Sequence, residues 1–289
     1  MTAERRGPPP EMYDGYAFDL DGTVFLGDAP LPGAIDTIRL IREAGRAVVF
    51  VTNNPLHTAE DYAAKLRGSG APATAADVVT ATDALVSYLR SASPQARLLV
   101  LGETVLLETL AGAGFALTLE PTAADVVVVS FDRTFDYAKL LAAYRAVRLC
   151  GARLVATNPD PYCPTPDGGL PDCAAMLAAV EACTGAVAEA VVGKPSAHMA
   201  AAILDRLRAA PGRAAMVGDR LGTDMVMARS AGMAGILVLT GATSPADLAT
   251  ARACALPDYV IQTLPELLLG QQVRHQIATT GEARNLERA

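Results

Sequence analysis

Tyr16-Ala17-Phe18-Asp19-Leu20-Asp21-Gly22-Thr23-Val24 is the stretch that decides the fold. A short apolar run leads into two carboxylates one residue apart, and a glycine follows. Side chains two apart on a strand point to the same side. Asp19 and Asp21 are therefore expected to face one site while Leu20 turns into the core. Gly22 lets the backbone leave the strand beside a ligand. Two carboxylates this close repel unless a cation or a shared proton neutralises them. A divalent metal meets that need, and hard oxygen ligands suit magnesium. Asp-Gly alone is ordinary turn chemistry. The second carboxylate, directly after an apolar strand, moves the reading towards function.

Working outward, residues 1–12 are polar and proline-rich and read as a loose arm. Ile35, Ile38 and Ile41 are spaced for one face of a helix over 34–44, which Gly45 ends. Ala47 to Val51 is a continuous apolar strand, as in a sheet buried on both faces. It runs into Thr52-Asn53-Asn54-Pro55. Thr58 is placed to cap a helix reaching Gly68, with Asp61 in capping-box position. Helices are expected over 83–90, 103–113 and 136–150, and strands over 98–101, 126–129 and 154–156. This alternation is that of an α/β fold. The loop 157–171 carries five prolines and two glycines and is too long for a simple connector. A helix over 173–184 follows, closed by Gly185. Ala190 to Val192 leads into Gly193-Lys194-Pro195, with Ser196 capping a helix to Leu207. Ala214 to Val217 leads into Gly218-Asp219, a helix is expected over 223–231, and the last strands are 236–239 and 259–261. Residues 271–289 are polar, without periodicity, and read as a frayed tail.

Polar residues thus stand just beyond four apolar strands: Asp19 and Asp21, Thr52 and Asn53, Lys194, and Asp219. In an open parallel sheet, ligands bind outside the carboxyl ends of the strands. Singly, Thr-Asn-Asn-Pro and Gly-Lys-Pro read as turns, and Gly218-Asp219 as a helix start with a capping acid. In order, they make a kit for phosphoryl transfer. A carboxylate can attack phosphorus, a bound divalent metal can offset the charge, and a lysine, a hydroxyl and backbone N–H groups can hold the remaining oxygens. A second carboxyl can protonate the leaving alcohol and then deprotonate water.

Composition narrows the classes. The 289 residues are 51% hydrophobic, with 5% aromatic residues and no tryptophan, so the core is built from Ala, Val and Leu. A net charge of −7 argues against a nucleic-acid surface. Five cysteines without close pairing fit reduced thiols. No signal segment and no apolar run of about 18 residues is evident, so no membrane partner and a cytoplasmic location are expected. His57, His198 and His275 have no partner spacing and are read as non-ligands.

Asp19-Leu20-Asp21-Gly22-Thr23, Thr52-Asn53-Asn54, Gly193-Lys194-Pro195 and Gly218-Asp219 with Asp224 resemble the four ordered motifs of the haloacid dehalogenase superfamily. The Thr-Asn-Asn and Gly-Lys-Pro forms resemble its class IIA branch, the NagD-like and 4-nitrophenylphosphatase-like phosphatases. The similarity runs from about Tyr16 to Leu268. It implies an α/β fold, a Rossmann-like parallel-sheet core with an inserted α/β cap. The expected organisation is core at 1–82, cap at 83–177, core again at 178–270, and the tail at 271–289. It also implies roles. Asp19 would be the nucleophile and a magnesium ligand. Asp21 would be the acid/base, with its carbonyl on the metal. Thr52 and Asn53 would bind the phosphoryl group and Lys194 would neutralise it. Asp219 would ligate magnesium and Asp224 would support the metal site.

Thr157-Asn158-Pro159-Asp160-Pro161-Tyr162-Cys163-Pro164 resembles the branch's substrate-specificity loop, with Asp160 and Cys163 as substrate contacts. Pyridoxal phosphatases carry a His where Cys163 aligns, which puts that substrate in doubt. The stretch to Val192 is most similar to members acting on glycerol phosphate or related polyol phosphates. The expected function is a magnesium-dependent phosphomonoesterase of a small phosphorylated metabolite, working through an aspartyl phosphate, with dimerisation through the cap. The alternatives are a phosphoglycolate or pyridoxal phosphate phosphatase, a phosphorylatable receiver, and a non-catalytic sugar-phosphate-binding protein. Asp21 and the cap-sized insertion argue against the receiver; the intact motifs argue against the binding protein.

Overall fold

The structure is a computed structural model that describes residues 7–165 and 168–269. The tail read at 271–289 lies outside the described residues, as do residues 1–6 of the arm and Pro166 and Asp167 of the long loop. The chain divides into two compact units.

The first unit is drawn from Met1–Phe50, Arg67–Pro72 and Leu204–Ala289. Its sheet places Tyr259–Ile261, Ala234–Val238, Ala214–Gly218, Gly15–Asp19 and Ala47–Thr52 side by side in that order. The division between units falls inside the last of these, after Phe50. Gly15–Asp19 pairs in parallel with Ala214–Gly218, Phe18 opposite Val217. Asp19 and Asp219 therefore emerge at neighbouring strand ends. All five residues of Gly15–Asp19 are buried, as a strand covered on both faces requires. Tyr16 stacks on Phe18 with ring centroids 5.9 Å apart, and Phe18 lies 6.5 Å from Phe50. The helix Ala34–Glu43 buries Ile38 and Ile41, and Gly45 ends it at φ 72°.

The second unit is drawn from Val51–Leu66 and Ala73–Ile203. Its five-stranded parallel sheet runs Ala190–Val191, Arg153–Ala156, Val126–Val129, Arg97–Leu101, Ala116–Leu117. The four valines of the central strand are fully buried. Leu99, Val127, Leu154, Met176 and Val180 belong to its core. Helix caps follow the sequence: Thr58 and Asp61 exchange hydrogen bonds of 2.8 and 3.2 Å ahead of Ala59–Gly68. Cys173–Thr184 ends at Gly185, φ 70°. Burial pushes the Cys173 thiol up to about 11.

Four features differ from the sequence reading. The helix expected over 136–150 is α-helical over Tyr137–Tyr144 and continues as a π-helical turn, Arg145–Leu149. The helix expected over 223–231 likewise begins with a π-helical turn, Leu221–Met225, before Val226–Ser230. The long loop contains an antiparallel hairpin, Tyr162–Thr165 with Gly168–Pro171. Prolines do not forbid it, because in a two-stranded ribbon each strand has an edge that needs no partner. Finally, the strand before Lys194 does not join the sheet of Gly15–Asp19. Ala190–Val191 pairs with Arg153–Ala156 in the second sheet. So short an apolar run carries no information about which parallel edge it will extend.

Candidate active site

A group of candidate acidic residues lies in the first unit. The Gly15–Asp19 strand ends at Asp19, and the chain folds at once into a tight turn. The Leu20 carbonyl accepts from the N–H groups of Val24 and Phe25, each at 2.9 Å, and the Gly22 N–H donates to Phe25 O at 2.7 Å. Leu20 is buried as expected. Asp21, however, sits on the turn, so strand alternation does not extend from Asp19 to it. Asp219 follows the Ala214–Gly218 strand, and Asp224 lies on the π-helical turn beyond it. The turn is closed by Asp224 itself, whose Oδ2 accepts from the Arg220 N–H at 3.0 Å. Extra turns of this kind recur at functional sites.

Asp19, Asp219 and Asp224 each bring a carboxylate oxygen within 4.8 Å of the other two, and all three are buried. A cation with metal–oxygen distances of about 2.1 Å sets trans donors about 4 Å apart. The geometry and the all-oxygen donor set therefore fit a hard divalent cation. Three buried anions without one would bear a heavy desolvation and repulsion cost. Among the described residues, the Asp21 carboxylate is not part of this convergence.

Glycines leave room for the Asp219 and Asp224 carboxylates. A Cβ at Gly22, whose φ is 92°, or at Gly241 would fall on the Asp219 carboxylate, and one at Gly218 would fall on Asp224. The Ala242 N–H donates to Asp219 Oδ2 at 2.5 Å, and Thr240 Oγ1 donates to the Gly22 carbonyl at 2.7 Å. Thr240-Gly241-Ala242 was missed in the sequence. The available signal is its position two residues beyond the Ala234–Val238 strand.

A separate group of candidate polar residues lies in the second unit. Thr52 ends its strand buried, and its Oγ1 accepts from the Asn54 N–H at 3.1 Å. Asn53 is also buried and binds Lys194 by both main-chain groups. Its Oδ1 accepts the Lys194 N–H at 2.7 Å, and its Nδ2 donates to the Lys194 carbonyl at 3.1 Å. The same Nδ2 donates to Asp160 Oδ2 at 2.8 Å. Asn158, which sequence reasoning passed over, donates to the Asn53 carbonyl at 3.1 Å and accepts from the Asp160 N–H at 2.9 Å. Lys194 reaches this network because Val191 pairs with Ala156, which brings the Gly193 N–H to the Thr157 carbonyl at 2.7 Å. Cys163, on the hairpin, accepts from Asn54 Nδ2 at 3.7 Å.

Two ion pairs stand at the carboxyl ends of the second sheet. Arg133 grips Glu103 with bonds of 2.5 and 2.6 Å and holds its carboxyl below the usual range. Lys139 Nζ lies 2.5 Å from the buried Asp132.

The profile of haloacid dehalogenase-like hydrolases matches residues 16–116, and a HAD-hydrolase-like profile matches residues 191–267. The sugar-phosphatase AraL of Bacillus subtilis is 33% identical, covering 88% of this chain and 91% of its own length. A 4-nitrophenylphosphatase structure from Thermotoga maritima is 35% identical with a TM-score of 0.82, covering 88% of this chain and 96% of that one. A glycerol phosphate phosphatase from Mycobacterium tuberculosis, solved in complex with magnesium, is 35% identical with a TM-score of 0.81. The match covers 89% of this chain and 77% of that one.

Proposed function

Since the chain belongs to the haloacid dehalogenase-like hydrolases, as a phosphatase of the class IIA branch, we propose that it is a magnesium-dependent phosphomonoesterase of a small polyol or sugar phosphate such as glycerol phosphate. The convergence of Asp19, Asp219 and Asp224 carries this reading. Asp19, Asp219 and Asp224, with the Asp21 carbonyl, would hold the magnesium ion. Bound there, the ion would offset the negative charge of nucleophile and phosphoryl group.

In the proposed reaction, an Asp19 oxygen attacks phosphorus and the bond from phosphorus to the substrate's ester oxygen breaks. Asp21 gives its proton to that oxygen, releasing the alcohol. Asp21 then takes a proton from water as the water oxygen attacks the aspartyl phosphate. The Asp19–phosphorus bond breaks, freeing phosphate and restoring both carboxyl groups. Thr52 and Lys194 bind phosphoryl oxygens, and Asn53 contributes by its hold on Lys194. Leaving-group selection is assigned to the insertion read at 83–177, where Cys163 stands on the hairpin. Association of two copies through that insertion is part of the same proposal.

A panel of phosphorylated metabolites ranked by kcat/KM tests the substrate class. The expected order puts glycerol phosphate and related polyol phosphates above phosphoglycolate and pyridoxal phosphate. A ranking led by pyridoxal phosphate contradicts it.

A further inference from the structure

We propose that Asp160 is a positioning residue for phosphate binding: through the Asn53 side chain, its carboxylate fixes the main chain of Lys194. The inference rests on the phosphatase reading above. It also replaces the expectation that Asp160 touches substrate.

The Asn53 amide offers one oxygen and two N–H groups. The oxygen takes the Lys194 N–H, and the nitrogen serves the Lys194 carbonyl and the Asp160 carboxylate. An ionised carboxylate accepts and cannot donate. Asp160 therefore requires the nitrogen end of the amide to face it. That is the orientation the Lys194 N–H and carbonyl also demand, so the carboxylate adds a charge-assisted bond to the same amide and stiffens its grip on Lys194. Asn158 closes a second arm between the Asn53 carbonyl and the Asp160 N–H. Asn53, Asn158, Asp160 and Lys194 are all at least 92% buried, where charge-assisted hydrogen bonds are strong. The fit is also tight. A Cβ at Gly193 would stand 2.5 Å from the Thr157 carbonyl oxygen and 2.6 Å from Asn53 Oδ1. The loop that leads into the Tyr162–Thr165 strand of the hairpin and the phosphoryl-binding lysine thus share one clamp.

The test measures inorganic phosphate affinity by calorimetry with magnesium present, beside turnover of 4-nitrophenyl phosphate and glycerol phosphate. Asp160→Ala should weaken phosphate binding by about ten- to a hundredfold, and lower kcat/KM for both esters by one common factor. Asp160→Asn keeps an acceptor for Asn53 and should bind phosphate within about threefold of wild type. Asn53→Asp sets two carboxylates face to face. Adding Asp160→Asn relieves that repulsion and returns a donor–acceptor pair between positions 53 and 160, though not the donor to the Lys194 carbonyl, and should recover part of the lost phosphate affinity, at least about threefold. That pair carries the test if Asp160→Ala fails to fold. Unchanged phosphate affinity in Asp160→Ala, or no recovery in the double variant, overturns the positioning role. So does a loss confined to glycerol phosphate, which would return Asp160 to substrate contact. A wild type that binds phosphate but turns over neither ester overturns the phosphatase reading and leaves the clamp standing.

Discussion

Gly241 is the position where one methyl group should do most damage to the carboxylate cluster. Its Cβ would land on Asp219, which is already held by the Ala242 N–H. Overpacking of this kind shifts neighbours at a cost of about 1–3 kcal/mol. Gly241→Ala is expected to raise the magnesium concentration for half-maximal turnover by at least about tenfold. An unchanged magnesium titration would remove Gly241 from the account. At Asp19, replacement by Asn keeps the shape and removes the nucleophilic charge. It should lower kcat by at least about a thousandfold, or about 4 kcal/mol of barrier. More than about a tenth of wild-type turnover would take Asp19 out of the nucleophile role. Asp19 and Asp219 were legible in the sequence because each stands on or just beyond an apolar strand or its glycine, and Asp224 through its spacing from Asp219 in the fourth motif. Gly241 was not, since Thr-Gly-Ala after a strand looks like any turn. The partners of the Asn53 amide were illegible for a different reason: they lie 107 and 141 residues away, and no local pattern encodes them.

At the scale of elements the Thr58–Asp61 capping box was legible, because its partners lie three residues apart, whereas the box ahead of the helix expected over 83–90 was passed over. The Thr80–Asp83 pair heads the helix Ala81–Ala92 with bonds of 2.9 and 3.0 Å. Thr80→Ala should cost about 1 kcal/mol of stability, read as a lower denaturation midpoint. No shift in the midpoint would mean that packing alone holds that helix start. The π-helical turns were illegible, since an inserted residue leaves composition and apolar spacing almost unchanged. Which sheet the strand Ala190–Val191 extends was illegible, because two apolar residues fit any parallel edge. The helix Cys173–Thr184 was read with its bounds intact, and it supplies a further test. Cys173 is buried with its thiol raised to about 11, whereas Cys150, Cys183 and Cys254 are exposed. The thiolate is the reactive form. At neutral pH a thiol reagent should therefore label the three exposed cysteines and spare Cys173 until the protein is denatured. Early labelling of Cys173 would contradict its burial.

For the whole molecule, the account depends on charge. Asp19, Asp219 and Asp224 converge in a buried place, and phosphate esters bring further negative charge. Exhaustive chelation should abolish turnover and added magnesium should restore it, while calcium, with its looser coordination, should restore little. Full activity after chelation would contradict the metal's role. The α/β class and the parallel sheets were legible from the alternation of apolar runs with helical spacing. The family followed from the order of four motifs. The hairpin within the long loop was hidden, because prolines argue against strands except at an unpartnered edge. The central claim is that the phosphoryl group passes through a covalent bond to Asp19, and it can be read on the residue itself. Protein quenched during turnover is treated with borohydride, which reduces an aspartyl phosphate to homoserine, and the peptide spanning Tyr16 to Val24 is sequenced by mass spectrometry. The account predicts homoserine at position 19, none at position 21, and none without substrate. Aspartate intact at position 19 under those conditions, or reduction at another carboxylate, would contradict it.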